Sequence, residues 1–246
     1  MVKRVRIDRL LVERGLFESR AKAQAAIAAG GVTADGRPVL KPAEEVSIDA
    51  ILEATPAHPW VSRGGVKLAA ALDRFGIDPA DRTCLDVGAS TGGFTEVLLA
   101  RGARRVYALD VGREQLHASL RGRPDVAVME ATDIRTIAPA QLPEAPSLVT
   151  VDVSFISLKH VLPAALATTR AGAQAVVLIK PQYEAGPRHV DKGRVRDPAV
   201  QARVCAEVEA LVASLGWTVI GVMPSPITGG DGNQEFLLAA HRDATA

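Results

Sequence analysis

Leu85-Asp86-Val87-Gly88-Ala89-Ser90-Thr91-Gly92-Gly93-Phe94 is the stretch that decides the fold. An apolar strand runs into a turn of small residues, and a helix starts at Phe94, so a ligand can approach the backbone closely. Gly88, Ala89, Ser90, Thr91, Gly92, Gly93 and Phe94 are therefore candidate contacts to a small ligand. Outward from this turn, helices are expected over residues 65–75, 94–101, 114–121, 157–170 and 198–215. Strands are expected over 83–87, 105–109, 126–129, 148–151, 175–179, 218–222 and 235–240. Short apolar strands between helices predict an α/β fold with a mostly parallel sheet covered on both faces. Ligands of such sheets bind beyond the carboxyl ends of the strands, where the polar residues described next fall.

A nicotinamide or flavin dinucleotide is the first ligand to weigh, but its fingerprint wants glycine where Ser90 stands. Asp86 lies immediately before the turn. A nearby carboxylate is poor company for a pyrophosphate and good company for an ammonium or sulfonium. S-adenosylmethionine fits better. Asp110, ending the second strand, can accept both ribose hydroxyls, and Asp133, after the third, is placed to meet an adenine amino group. An acid at one strand end can instead cap the next helix, but three in order with the glycine turn are harder to explain that way.

Lys180 follows the apolar run Val176-Val177-Leu178-Ile179, and Pro181 forces the chain out of the sheet. A lysine there faces the ligand crevice. Partial desolvation and a neighbouring sulfonium would both favour its neutral amine, a usable general base; the alternative is a lysine that snorkels to solvent. Asp152 ends the strand 148–151 and can orient Lys180 or a substrate hydroxyl. Lys67 lies in the helix after Ser62-Arg63-Gly64-Gly65, and Glu235 opens the last strand after Gly229-Gly230-Asp231-Gly232-Asn233-Gln234.

The front of the chain has a different texture. Helices are expected over 7–15 and 19–30, with Ser19 capping the second and Gly30-Gly31 stopping it. Asp35-Gly36 suits a hairpin turn between 32–34 and 37–39, and 45–52 offers another strand. Prolines around 56–61 mark a linker, giving domains at 1–55 and 62–246. The net charge of +1 does not mark a nucleic-acid binder, but the charges are unevenly placed. One basic run spans Lys3 to Lys22 and includes Arg4, Arg6 and Arg20; a second holds Arg188, His189, Lys192, Arg194 and Arg196. Each could be no more than a solvated face.

With 246 residues, 48% of them hydrophobic, the chain can bury a substantial core. It has no apolar run of about 18 residues and no signal-like amino terminus, so a cytoplasmic location with no membrane partner is expected. Cys84 and Cys205 show no metal or redox spacing and are expected to be reduced core residues.

The helix, helix, Asp-Gly hairpin pattern, with Arg9, Leu10, Leu11, Ser19, Arg20, Ala23, Ile27, Gly30, Val32 and Gly36 at these spacings, resembles the S4 RNA-binding domain. That resemblance implies phosphate contacts from Arg4, Arg6, Arg20 and Lys22 that position the protein without reading sequence. Lys67, Asp152, Lys180 and Glu235 resemble, in order and context, the Lys-Asp-Lys-Glu tetrad of FtsJ-like ribose 2′-O-methyltransferases. The whole chain is similar to the TlyA family, also labelled haemolysin A. The resemblance implies a Rossmann-like class I methyltransferase domain behind a small α+β S4 domain. It also implies 2′-O-methylation of cytidine in 23S ribosomal RNA, and in some members of 16S RNA. Some members that modify both subunits carry an extra helix after the last strand, which His241-Arg242-Asp243-Ala244-Thr245-Ala246 does not supply, so 16S RNA is the weaker expectation.

The implied mechanism is direct displacement with no metal: Lys180 helps remove the 2′-hydroxyl proton as the oxygen attacks the sulfonium methyl. Lys67 and Glu235 would hold the nucleotide. Arg63 and the run Arg188, Lys192, Arg194 and Arg196 are candidates for the adjoining RNA backbone. Ribosomal RNA or a ribosomal subunit is thus the expected partner. Competing readings are a non-enzymatic assembly factor on a methyltransferase scaffold and a membrane-active haemolysin; filled tetrad positions speak against the first, and the lack of an amphipathic or spanning segment against the second.

Overall fold

The computed structural model describes residues 3–244. Met1 and Val2 of the amino terminus, and Thr245 and Ala246 of the terminal segment considered above, lie outside the described residues. The chain divides into two compact units that meet between Pro59 and Trp60. Trp60 and Val61, expected in the linker, pack against hydrophobic clusters of the second unit.

The first unit begins with a short strand that the sequence did not announce, β1 (Arg4–Arg6), followed by helices α1 (Ile7–Glu13) and α2 (Arg20–Ala28). The Ser19 hydroxyl accepts from the Lys22 N–H and caps α2 as expected. The hairpin β2 (Val32–Ala34) and β3 (Arg37–Pro38) forms around Asp35-Gly36. The single strand expected over 45–52 is instead two: β4 (Glu45–Ser47) pairs with β1, and β5 (Leu52–Ala54) pairs with β2. A turn divides them, closed by the Ser47 hydroxyl accepting from Asp49 N–H and the Ser47 carbonyl accepting from Ala50 N–H. Ile7, Leu10, Leu11, Ala23, Ile27 and Val32 form the core of this unit.

The second unit holds a seven-stranded sheet in the order β11-β12-β10-β9-β6-β7-β8. Its strands are β6 (Thr83–Val87), β7 (Arg105–Leu109), β8 (Val126–Met129), β9 (Leu148–Val151), β10 (Gln174–Ile179), β11 (Thr218–Pro224) and β12 (Phe236–His241). All run parallel except β12, which is antiparallel to both neighbours. Side chains alternate between faces along each strand. Leu85, Tyr107, Val149, Val177 and Leu238 pack on one face with α6 (Leu162–Ala167) and α8 (Pro198–Ser214). Cys84, Val106, Leu148, Val176 and Leu237 pack on the other with α3 (Gly64–Phe75) and α4 (Gly93–Ala100).

Two expected helices are shorter than their sequence patterns. Over 114–121 only α5 (Ala118–Arg121) forms. Glu114 sits at φ +53, outside the right-handed helical region, so no helix starts there, and the Glu130 carboxylate accepts the N–H groups of Glu114, Gln115 and Leu116 in a turn instead. Over 157–170 a single tight turn at Leu158–His160 precedes α6. A further short helix, α7 (Pro181–Glu184), follows β10 directly. Burial lifts the Cys84 thiol to about 12 and the Cys205 thiol to about 11, so both stay protonated and inert in the core.

Candidate active site

The glycine turn works because of what crosses it. Gly88 has φ +84, and a β-carbon there would come within 2.2 Å of the Asp152 carbonyl oxygen, so the loops after β6 and β9 touch through bare backbone. A cavity of about 500 Å³ opens on one side of this crossing, lined by Asp110, Val111, Asp133, Ile134 and Phe155 among others. A smaller one, about 240 Å³, opens toward α3 and is lined by Arg63, Lys67, Ala89, Thr91, Gly93 and Phe94. Gly88, Ser90 and Asp152 border both.

Asp110 bridges the two walls of the larger cavity: its carboxylate accepts from Ser90 N–H at 2.8 Å and Gly112 N–H at 2.7 Å, with lone pairs left over for a ribose. Asp133 also lines the cavity, but its carboxylate is gripped by Arg135, which together with the Arg135 N–H holds it below the usual carboxylate range. It can meet an adenine amino group only where that grip leaves a lone pair free.

Asp86 corrects the sequence reading. Its side chain is fully buried and points away from both cavities, onto the α3/α4 face, where it accepts from the Thr95 hydroxyl at 2.7 Å and the Thr150 hydroxyl at 3.0 Å. Burial pushes its carboxyl up to about 7, against the lowering effect of the two hydroxyls. Asp86 therefore supports the glycine turn from beneath and lines neither cavity. Gly92, too, lies under Leu116 and Leu120 and borders neither cavity.

At the carboxyl rim of the sheet the four expected tetrad residues converge. Lys67 and Glu235, both nearly sealed from solvent, meet at 2.5 Å. The Lys180 ammonium lies 2.6 Å from Asp152 Oδ1, an ion contact without hydrogen-bond alignment, and donates to the Ser154 hydroxyl at 2.8 Å. The register explains the meeting: Ile179 pairs with Phe236 across β10 and β12, so the next residues outward on each strand, Lys180 and Glu235, reach the same edge.

Beside Lys180 stands a feature the sequence reading missed. Phe155, 90% exposed at φ +63, projects into the crevice and meets the Tyr183 ring at 5.2 Å between centroids. Lys180 Nζ is 6.0 Å from the Tyr183 ring. An aromatic after Asp152-Val153-Ser154 was legible as a side chain but not as an exposed one.

The basic residues divide sharply. In the first unit, Arg6 makes a two-point bond to buried Asp8, Arg20 joins it at 2.7 Å, and Lys22 pairs with Glu18 at 2.5 Å. Arg4 donates to the Glu45 carbonyl. These four expected RNA contacts are thus already engaged within their own fold. In the second unit Arg188, Lys192, Arg194 and Arg196 are all exposed, and among the described residues a 3.7 Å contact from Arg196 to Asp191 is their only approach to an acid. Among the described residues no helix is long and apolar enough to cross a membrane.

Comparison with known proteins agrees with this anatomy. The FtsJ-like methyltransferase family matches residues 60–242, and the S4 domain matches 5–52. The chain is 47% identical to the 16S/23S rRNA (cytidine-2′-O)-methyltransferase TlyA of Mycobacterium tuberculosis, over 97% of this chain and 90% of that one. It is 37% identical to Hemolysin A of Brachyspira hyodysenteriae, over 95% of this chain and 98% of that one. Among solved structures, a protein described as a hemolysin from Streptococcus thermophilus matches 99% of this chain and 90% of its own, at 39% identity and a TM-score of 0.77. With a filled tetrad, a glycine turn at the sheet rim and matches spanning nearly its whole length, the chain belongs to the TlyA family of methyltransferases, an S4 domain followed by an FtsJ-like domain.

Proposed function

We propose that this protein methylates the ribose 2′-hydroxyl of a cytidine in ribosomal RNA, with 23S RNA the principal target. The observation that carries the reading is the convergence of Lys67, Asp152, Lys180 and Glu235 beside the glycine turn. The choice of RNA follows the relatives: the M. tuberculosis protein is named for 16S and 23S RNA, and a Campylobacter jejuni relative, 38% identical over 72% of this chain and 69% of its own, for 23S RNA alone.

Residues lining the larger cavity fit S-adenosylmethionine: Asp110 for the ribose, and Val111 and Ile134 for the faces of an adenine. When bound, S-adenosylmethionine supplies the electrophilic methyl group. Once its ammonium has released a proton to solvent, the neutral Lys180 Nζ takes the 2′-hydroxyl proton, while Asp152 and Ser154 fix the direction of its amine. The buried Lys67–Glu235 pair forms a rigid, charge-balanced wall against which the ribose is seated. Phe155 and Tyr183 offer a stacking ledge for a nucleobase that has left its neighbours.

The test is methyl transfer from labelled S-adenosylmethionine to purified large and small subunits from a strain lacking the gene. Incorporation into large-subunit RNA that vanishes with Lys180→Ala supports the reading. Cofactor binding without transfer to either subunit would sink it.

A further inference from the structure

The segment 229–235 is short and glycine-rich, with charged side chains close against its backbone, of which Glu235 and Arg194 use the space a β-carbon would take. A β-carbon on Gly229 would fall 2.5 Å from Glu235 Oε1, one on Gly232 3.1 Å from Arg194 Nη2, and one on Gly230 3.6 Å from Arg63 Nη2. Glu235 of the tetrad, Arg63 at the mouth of the smaller cavity and Arg194 of the basic run thus all rest on one strip of backbone. Arg63 lies against Gly230 and Arg194 against Gly232, two residues further along it.

What holds the basic run there is Asn233, whose side chain is buried. Its Oδ1 accepts from Val195 N–H at 3.0 Å, and its Nδ2 donates to the Gly193 carbonyl at 2.9 Å. A carboxamide facing an extended chain in this way does the work of a neighbouring strand. The run itself is a tight turn: Asp191 and Arg194 exchange both backbone hydrogen bonds at 2.9 and 2.8 Å, with Lys192 at φ +46 and Gly193 at φ +78 between them. Val195 is buried, its carbonyl accepting from the Gln201 side chain at 2.8 Å, while Arg194 and Arg196 on either side of it stay exposed. Glu235, by contrast, is held independently of Asn233: its carbonyl accepts from Ser225 N–H and from the Gln234 side chain, and its carboxylate binds Lys67.

We propose that Asn233 is a positioning residue for RNA: it clamps the turn 191–195 onto the loop that leads into Glu235, so that Lys192 and Arg194 grip the RNA backbone at a fixed distance from the reacting ribose. The proposal rests on the reading of the chain as an RNA ribose methyltransferase and adds the part that sets where the RNA lies. Asn233 acts through Lys192 and Arg194, not on the reacting atoms. Its removal therefore frees the turn and weakens RNA seating while leaving cofactor binding and chemistry intact.

The experiment uses the full chain and large subunits from a gene-deleted strain, comparing wild type, N233A, N233D, K192A/R194A and the triple combination. N233A is expected to raise the KM for subunits about tenfold, equivalent to about 1.4 kcal/mol, with kcat and S-adenosylmethionine affinity unchanged. It should also flatten the dependence of subunit affinity on salt, as K192A/R194A does, because fewer phosphates are neutralised. Adding N233A to K192A/R194A should bring no further rise in KM. N233D should resemble N233A at alkaline pH, where a carboxylate faces the Gly193 carbonyl, and approach wild type in acid, where a protonated carboxyl donates to it. That acid rescue keeps the test decisive even if N233A folds poorly. An unchanged KM in N233A, a further KM rise in the triple combination, or pH-independent behaviour of N233D would each overturn the clamp. A normal KM for K192A/R194A would overturn it from the other side, with methyl transfer still present; loss of transfer in the wild type would instead remove the parent reading.

Discussion

Lys67 Nζ and Glu235 Oε2 lie 2.5 Å apart across 168 residues of sequence, one on a helix that precedes the sheet and the other at the entry to its reversed strand. Both side chains are nearly sealed from water, so each charge depends on the other. Glu235→Ala leaves a buried ammonium without a partner and should lower stability by about 3–5 kcal/mol. A paired Lys67→Met, Glu235→Leu variant should recover most of that loss while remaining without methyl transfer. Thermal unfolding alongside the transfer assay checks both; recovered stability with recovered activity would show that the pair serves packing alone.

Phe155 is exposed, so its removal costs little folding energy. Phe155→Ala should leave the melting temperature essentially unchanged and lower kcat/KM for subunits by about 5- to 150-fold, the range for losing one base-stacking contact of about 1–3 kcal/mol. Phe155→Trp should retain activity. Equal kinetics for Phe155→Ala and wild type would dismiss the stacking ledge.

Asp86 makes a pH-dependent contribution with a definite sign. Its folded-state carboxyl is raised from 3.8 to about 7, so the folded protein holds a proton that the unfolded chain has released between those values. Its favourable contribution is whole below pH 3.8 and is lost as pH rises through 7. Asp86→Asn keeps one acceptor and gains a donor toward the Thr95 and Thr150 hydroxyls without ever ionising. Relative to wild type it should be steadily more stable from about pH 4 to 7, by a few kcal/mol at the alkaline end. Urea unfolding across that range tests it; a difference independent of pH would mean that Asp86 is not the titrating group.

Asp8 behaves in the opposite sense. The Arg6 guanidinium, helped by Arg20 and Gln24, holds its carboxyl well below the usual range. The stability it provides is present above the unfolded-state value and disappears as pH falls through the depressed folded value. Asp8→Ala should therefore loosen the first unit at neutral pH, seen as faster hydrogen exchange in α1 and α2, with protection over 83–109 unaffected. Uniformly unchanged exchange would show that the cluster is not structural.

How far the sequence could be read follows from the range over which each signal acts. The glycine turn and the strands around it are local patterns, and they appear where expected. The meeting of Lys67 with Glu235 depends on β12 entering the sheet reversed, which no local pattern announces; it was legible only through resemblance to a family with the same four residues. Asp86 was misread because position in a chain gives no side-chain direction: in a strand buried on both faces, alternation carries Asp86 to the side of Thr95 while the ligand approaches from the rim. That Arg6 and Arg20 both reach one buried acid, Asp8, was not legible, because a basic run does not reveal which of its guanidiniums a neighbouring carboxylate engages. The helix expected over 114–121 keeps only its last turn because Glu114 takes a positive φ, a backbone choice that apolar periodicity does not encode.

The sheet order also governs when this protein comes into being as a catalyst. β12 is synthesised after β10 and β11 yet inserts between them, carrying Glu235 to the rim. A nascent chain that has emerged only as far as β11 has neither Glu235 nor the strand that joins β11 to β10, so Lys67 waits for its partner until the last strand of the sheet is made.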